Sequence, residues 1–172
     1  MFGIKQAWAC LYGGAMLLLL VLTMLFWPEE GAALSRFDFL FIAAVVLQIL
    51  LVALKLERIE EVKVIAIFHV VGTIMEVFKT HMGSWSYPGE AFFRIGGVPL
   101  FSGFMYACVG SYIARVTRLM DLRYTDYPPV WSTWALAIAA YVNFFTHHFG
   151  PDIRIGLFAL SVVLFFRCRV HF

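Results

Sequence analysis

Charge is scarce in this sequence: 14% of its 172 residues are Asp, Glu, Lys or Arg, against about a quarter in an ordinary soluble domain. The formal net charge is only +2, and the basic residues fall in short clusters between apolar runs. That excludes the concentrated basic face of a nucleic-acid-binding protein. Cysteine is scarce too. Cys10, Cys108 and Cys168 lie in or beside different apolar runs without the paired spacing of a disulfide framework or a zinc site, and read as small packing residues. There is no HExxH, no His-rich box and no other spacing that fixes a metal geometry, so no metal is expected, and the residues name no cofactor.

What fills the sequence instead is hydrocarbon. Sixty-two percent of the residues are hydrophobic and 17% aromatic, and the mean hydropathy is +0.85. A soluble fold of this length would leave large apolar patches on its surface; a bilayer absorbs them. Segments near the roughly 20 residues needed to cross hydrocarbon occur at 7–27, 38–55, 62–80, 98–115, 130–148 and 153–167. The expected architecture is therefore all-α, a polytopic transmembrane bundle of about six helices in one domain, 1–172, multi-pass in the cell membrane.

The first run exceeds the roughly 7–15 residues of a signal-peptide core and reads as a span. The last is short, and the sequence stops soon after it at "RVHF", which suggests a truncated form of a longer protein. Pro28, Pro88, Pro128, Pro129, Gly150 and Pro151 mark the boundaries. Trp27, Trp85, Tyr87, Trp131 and Trp134 sit near expected ends, where interfacial aromatics belong.

Lys5, Lys55, Arg58, Lys63, Arg115, Arg118, Arg123, Arg167 and Arg169 fall on one side of this arrangement; Arg36, Lys79, Arg94 and Arg154 fall on the other. Nine against four places both termini in the cytoplasm.

Polar groups inside such segments mark function by default. His69, Thr73, Glu76 and Thr80 follow at intervals of four, three and four, which aligns them on one helix face. Lys79, three residues beyond Glu76, is the obvious ion-pair partner. Asn143 and His147 share a face of the fifth segment, with His148 beside them, and Ser102 and Tyr106 are four apart on the fourth. The weave of the chain would bring Glu76, Lys79, His81, Tyr87, Arg94, Asn143, His147 and His148 into one outer layer. The inner halves carry little polarity apart from Gln48.

The candidate catalytic residues are accordingly Glu76, His69, His81, Tyr87 and His147; the candidate substrate contacts are Lys79, Arg94, Tyr106, Asn143 and His148. The connection from 80 to 97 is long for a loop without function and reads as a lid, with Gly96 and Gly97 supplying a turn and Pro99 opening the next helix.

The run "MEVFKTHMGSWSYPGEAFFRIGGVPLFSGFMYACVGSYI", with "DLRYTDYPP" and "YVNFFTHHFGPDIR" after it, resembles a family of bacterial integral-membrane proteins known as domain of unknown function 817. The resemblance covers essentially the whole chain. Members of that family continue with further hydrophobic segments, which again implies a longer protein. A fainter similarity is to the membrane-embedded carotenoid hydratases and cyclases, whose pattern Gly72, Glu76, Thr80, Gly83, Tyr87 and Gly97 to Leu100 follow in order.

That second similarity implies acid catalysis on an alkene, with Glu76 as proton donor. Burial favours the neutral, proton-giving form of a carboxyl, whereas a neighbouring ammonium such as that of Lys79 favours the ionised form. The expected function is an intramembrane enzyme acting on a lipid or isoprenoid-like small molecule, with membrane lipid as the surrounding partner. The alternatives are a transporter or channel using the Glu and His residues, and a non-catalytic accessory protein.

Overall fold

The computed structural model describes residues 2–28 and 31–172. Among them the chain is mostly helical, and helices occupy all six of the expected segments. α1 (Phe2–Ala9) and α2 (Leu11–Phe26) share the first, with α3 (Arg36–Ala53) and α4 (Ile59–His81) next. A two-residue hairpin, β1 (Arg94–Ile95) and β2 (Val98–Pro99), leads into α5 (Phe101–Met120). β3 (Arg123–Thr125), α6 (Val130–Thr146), α7 (Arg154–Phe165) and β4 (Arg169–His171) complete the order. The chain divides into two compact units, 1–120 and 121–172.

α3 is long and apolar enough to cross a membrane by itself. α1 and α2 pass together, but with a 57° bend between them. α6 and α7 are shorter apolar helices; at 1.5 Å per residue the 12 residues of α7 reach only about 18 Å, against a hydrocarbon core of about 30 Å. α4 and α5 have the length, at 23 and 20 residues, but carry Glu60, Glu61, Lys63, Glu76 and Lys79, and Arg115 and Arg118. Six apolar runs thus give helices in six places, one or two of which have the length and composition of a span.

In the first unit the core gathers Tyr12 and Met16 of α2, Leu40, Ala44 and Leu51 of α3, Ile65 of α4, and Phe101, Phe104 and Ala107 of α5. α4 and α5 lie especially close because glycines line their seam. A Cβ on Gly72 would stand 2.5 Å from Tyr106 Cγ, and one on Gly103 only 2.3 Å from Thr73 Oγ1. Small residues at a seam let two helix backbones approach closely.

Local signals set the ends of the helices. Ser35 caps α3, its Oγ accepting the Asp38 N–H at 3.1 Å, an interaction worth about 1 kcal/mol. Glu61 accepts the Arg58 N–H at the start of α4. The hairpin turns through Gly96 and Gly97, both at positive φ, as a two-residue turn of this kind demands. Pro99 belongs to β2, so α5 starts two residues after it.

In the second unit β3 and β4 pair antiparallel, Tyr124 opposite Val170, and α6 and α7 form a helical hairpin. α6 starts after Pro129. Its turn into α7 is tied by Asn143, whose side-chain amide donates to Asp152 and accepts the Ile153 N–H.

Candidate functional site

Glu76 lies on the face of α4 that meets α5, and only 5% of it is exposed. Three donors converge on its carboxylate. Tyr106 of α5 donates to Oε1 at 2.6 Å, and Tyr87 and Trp85 of the loop after α4 donate to Oε2 at 2.6 and 2.9 Å. The Gly72 seam sets the first of these, because it seats the Tyr106 ring directly against α4.

The loop that carries the other two donors is itself pinned twice. Arg94 reaches back into it, donating to the carbonyls of Tyr87 (2.7 Å), Gly89 (3.0 Å) and Gly97 (3.1 Å). Asp38, at the start of α3 and 4% exposed, accepts the N–H groups of Phe92 and Phe93, each at 2.9 Å. The Phe93 ring packs on Phe41, with centroids 4.7 Å apart, and Tyr87 meets Phe37 edge to face. Removal from water, followed by the bond to Glu76, pushes the Tyr87 phenol above its ordinary value, so at neutral pH it is a proton donor.

A carboxylate surrounded by hydroxyl and indole donors is an acceptor site. A substrate hydroxyl or ammonium that displaces Tyr87 or Trp85 would donate its hydrogen bond to the same carboxylate. Two of its three partners ride on a loop; the third is fixed in a helix.

The structure brings together four of the residues expected from sequence: Glu76, Tyr87, Tyr106 and Arg94. His69 lies about two turns from Glu76 along α4, its ring against Phe104 with centroids 4.3 Å apart and its carbonyl accepting the Thr73 hydroxyl. Lys79 and His81 lie in the last turn of α4, where His81 is exposed. Asn143, His147 and His148 belong to the second unit. There Asn143 holds the α6–α7 turn, His147 Nδ1 lies 3.0 Å from the Asn143 carbonyl oxygen, and the His147 and His148 rings pack at a tilt with centroids 4.0 Å apart.

A second polar centre, at the other end of the α4–α5 pair, corrects the expectation of apolar inner halves. Arg115 of α5 and Glu57 in the α3–α4 turn form an ion pair with both side chains fully buried. Ser111 donates to Glu57 Oε1 at 2.9 Å, Gln48 donates to Oε2, and Arg115 also donates to the Trp8 carbonyl, the last turn of α1, at 3.2 Å. Next to it Arg118 pairs with Glu61 at 2.7 Å. Arg115 and Arg118 are therefore helix residues, not members of a loop, because α5 runs on to Met120.

The missed signal is a row at four-residue spacing, Gly103, Ala107, Ser111 and Arg115, all buried: one small or polar stripe of α5 turned toward the core. Asp38 was missed as well; Ser35 and Asp38 have the Ser-x-x-Asp spacing of a helix start.

The whole chain, residues 1–172, matches the family profile described as protein of unknown function (DUF817). An uncharacterized protein of Bacillus subtilis (strain 168), YoaT, is 42% identical over 171 residues, which is 99% of this chain. The chain spans 64% of the length of that relative. No solved structure matches. On the strength of a match that runs from its first residue to its last, the chain belongs to the DUF817 family.

Proposed function

We propose that the chain is a multi-pass membrane protein in which α1–α2 and α3 to α7 meet the bilayer, and that it works as an intramembrane enzyme on a lipid or isoprenoid-like substrate with Glu76 as the acid/base. The observation that carries this is the convergence of Tyr106, Tyr87 and Trp85 on one buried carboxylate. Burial makes a lone carboxylate costly, and here its compensation comes in part from a loop that can be exchanged for a ligand. In this reading Tyr106 stays with Glu76 as a fixed proton partner, and Tyr87 and Trp85 leave when substrate enters. His69, His81 and Lys79 lie on the same helix as Glu76, within reach of a larger substrate.

The test is chemical. Lipid extracts are compared from cells carrying the full-length protein, its Glu76→Gln variant, or no gene. A species that accumulates both with Glu76→Gln and without the gene, but not with the parent, supports the enzyme; identical extracts in all three count against it.

Transport is the second reading, favoured by one observation: the buried Glu57–Arg115 pair with Ser111 and Gln48. These place polar groups at the opposite end of the same helix pair, as a path between two sides would. Proton or solute flux into liposomes containing the full-length protein, abolished by Glu76→Gln, would select it over catalysis.

A further inference from the structure

The buried Glu57–Arg115 centre holds three polar atoms that its ion pair does not use. Tyr12 Oη, Gln48 Oε1 and Arg115 Nε are shut off from solvent and have no hydrogen-bond partner among the described residues. Tyr12 and Arg115 are themselves fully buried. Burial without a partner is costly, and native proteins answer it with a protein group or an ordered water.

The three atoms belong to one place. Gln48 Oε1 shares its amide with the Nε2 that donates to Glu57 Oε2, and Arg115 Nε shares its guanidinium with the Nη2 that pairs with Glu57 Oε1. Tyr12 lies near enough to Glu57 to feel its charge. It also follows, across the bend between α1 and α2, the Trp8 carbonyl that accepts from Arg115 Nη1. The three side chains come from three helices, α2, α3 and α5.

Their donors and acceptors select the guest. The Tyr12 hydroxyl and Arg115 Nε–H each have a proton to give, and Gln48 Oε1 has lone pairs to fill. A cation would face the guanidinium, and an anion would face both the amide oxygen and the Glu57 carboxylate. Glu57 and Arg115 already balance each other's charge. What matches is a small neutral group that accepts twice and donates once.

We propose that one ordered water is built into this centre, accepting hydrogen bonds from Tyr12 Oη and Arg115 Nε and donating one to Gln48 Oε1. About three bonds are usual for a buried water. The water ties α2 to α3 and α5, and it gives both ends of the Gln48 amide a partner, Nε2 on Glu57 and Oε1 on the water. The site stands apart from Glu76 and holds whatever that carboxylate does.

The test is X-ray radiolytic footprinting of the full-length protein in detergent, read by mass spectrometry, which oxidises side chains that touch bound water as well as those in bulk solvent. Corrected for intrinsic reactivity, Tyr12 should be oxidised several-fold faster than Phe101, a ring buried in the same core. On transfer to heavy-oxygen water, Tyr12 should take up the label more slowly than the exposed Tyr124. Gln48→Leu, which removes the acceptor, should lower Tyr12 oxidation several-fold. Oxidation of Tyr12 at the Phe101 rate overturns the site on the parent protein alone, whether or not the variant folds. An unchanged rate in folded Gln48→Leu overturns it as well. So does label uptake as fast as at Tyr124, which would reveal a path open to bulk solvent in place of a held water and favour the transport reading.

Discussion

The two ends of the α4–α5 pair treat a buried glutamate in opposite ways. At one end Glu57 faces Arg115, a full charge on the adjoining helix, with Ser111 and Gln48 completing its shell and no part of either charged side chain exposed. At the other, Glu76 is surrounded by neutral donors, two of them on a loop. The first arrangement fastens α1, the α3–α4 turn and α5 together through partners that all sit on helices. The second covers a carboxylate with neutral donors, and the proposed function asks the two on the loop to give way to a ligand. A buried charge by itself is therefore a weak sign of function; what marks a site is how readily its compensation can be exchanged.

The comparison breaks most severely at Arg115. Replacing it by Leu strands Glu57 without its charge partner and should cost about 3–5 kcal/mol of stability, read by denaturant unfolding in detergent. Replacing Glu57 and Arg115 together by Met should recover most of that loss, because no unpaired charge remains. Failure of the double variant to recover would mean that the pair does more than fasten helices.

Gly72→Ala should come next. The added methyl group collides with the Tyr106 ring, and overpacking of this kind costs about 1–3 kcal/mol. The same variant should lose the Glu76-dependent lipid change, since Tyr106 can no longer sit on the carboxylate.

The loop donors should give smaller and more local effects. Tyr87→Phe and Trp85→Phe each remove one hydrogen bond, about 1 kcal/mol, and should speed hydrogen exchange of residues 84–93 without changing that of α4 and α5. Tyr106→Phe should loosen the α4–α5 seam instead, so exchange patterns separate the movable donors from the fixed one.

The smallest effect concerns pH. The Tyr87 phenol is raised by burial and by Glu76, so the folded state keeps a proton that the unfolded chain gives up at about pH 10. Its contribution is complete below that pH and fades as pH rises above it. Absorbance titration of the phenolates in the parent should show one late-titrating tyrosine more than in Tyr87→Phe.

Much of this was legible in the sequence, for reasons that can be named. Apolar runs bounded by proline and glycine place helices well, because both signals are local. Glu76, Tyr87 and Tyr106 were singled out as polar groups near an expected membrane edge, and they meet. Trp85 was read only as an interfacial ring, although its indole N–H completes the site.

Glu57 and Arg115 were not paired by sequence, since 58 positions separate them and charge at the end of an apolar run resembles a loop. Helix boundaries tell such a residue from a buried one, and α5 continues past Arg115 because its small and polar residues recur on a single face. The grouping of His147 with Glu76 drew on chain weave alone; within its own unit His147 stays beside the turn that Asn143 ties.

The most direct measurement of the central claim is the lipid profile of cells in which Glu76→Gln replaces the full-length protein, with Arg115→Leu and the paired Met variant as controls for stability. The account predicts that Glu76→Gln leaves the protein folded and in the membrane while a lipid species builds up, as it does without the gene. An unaltered profile in both Glu76→Gln and the gene-free strain would contradict it.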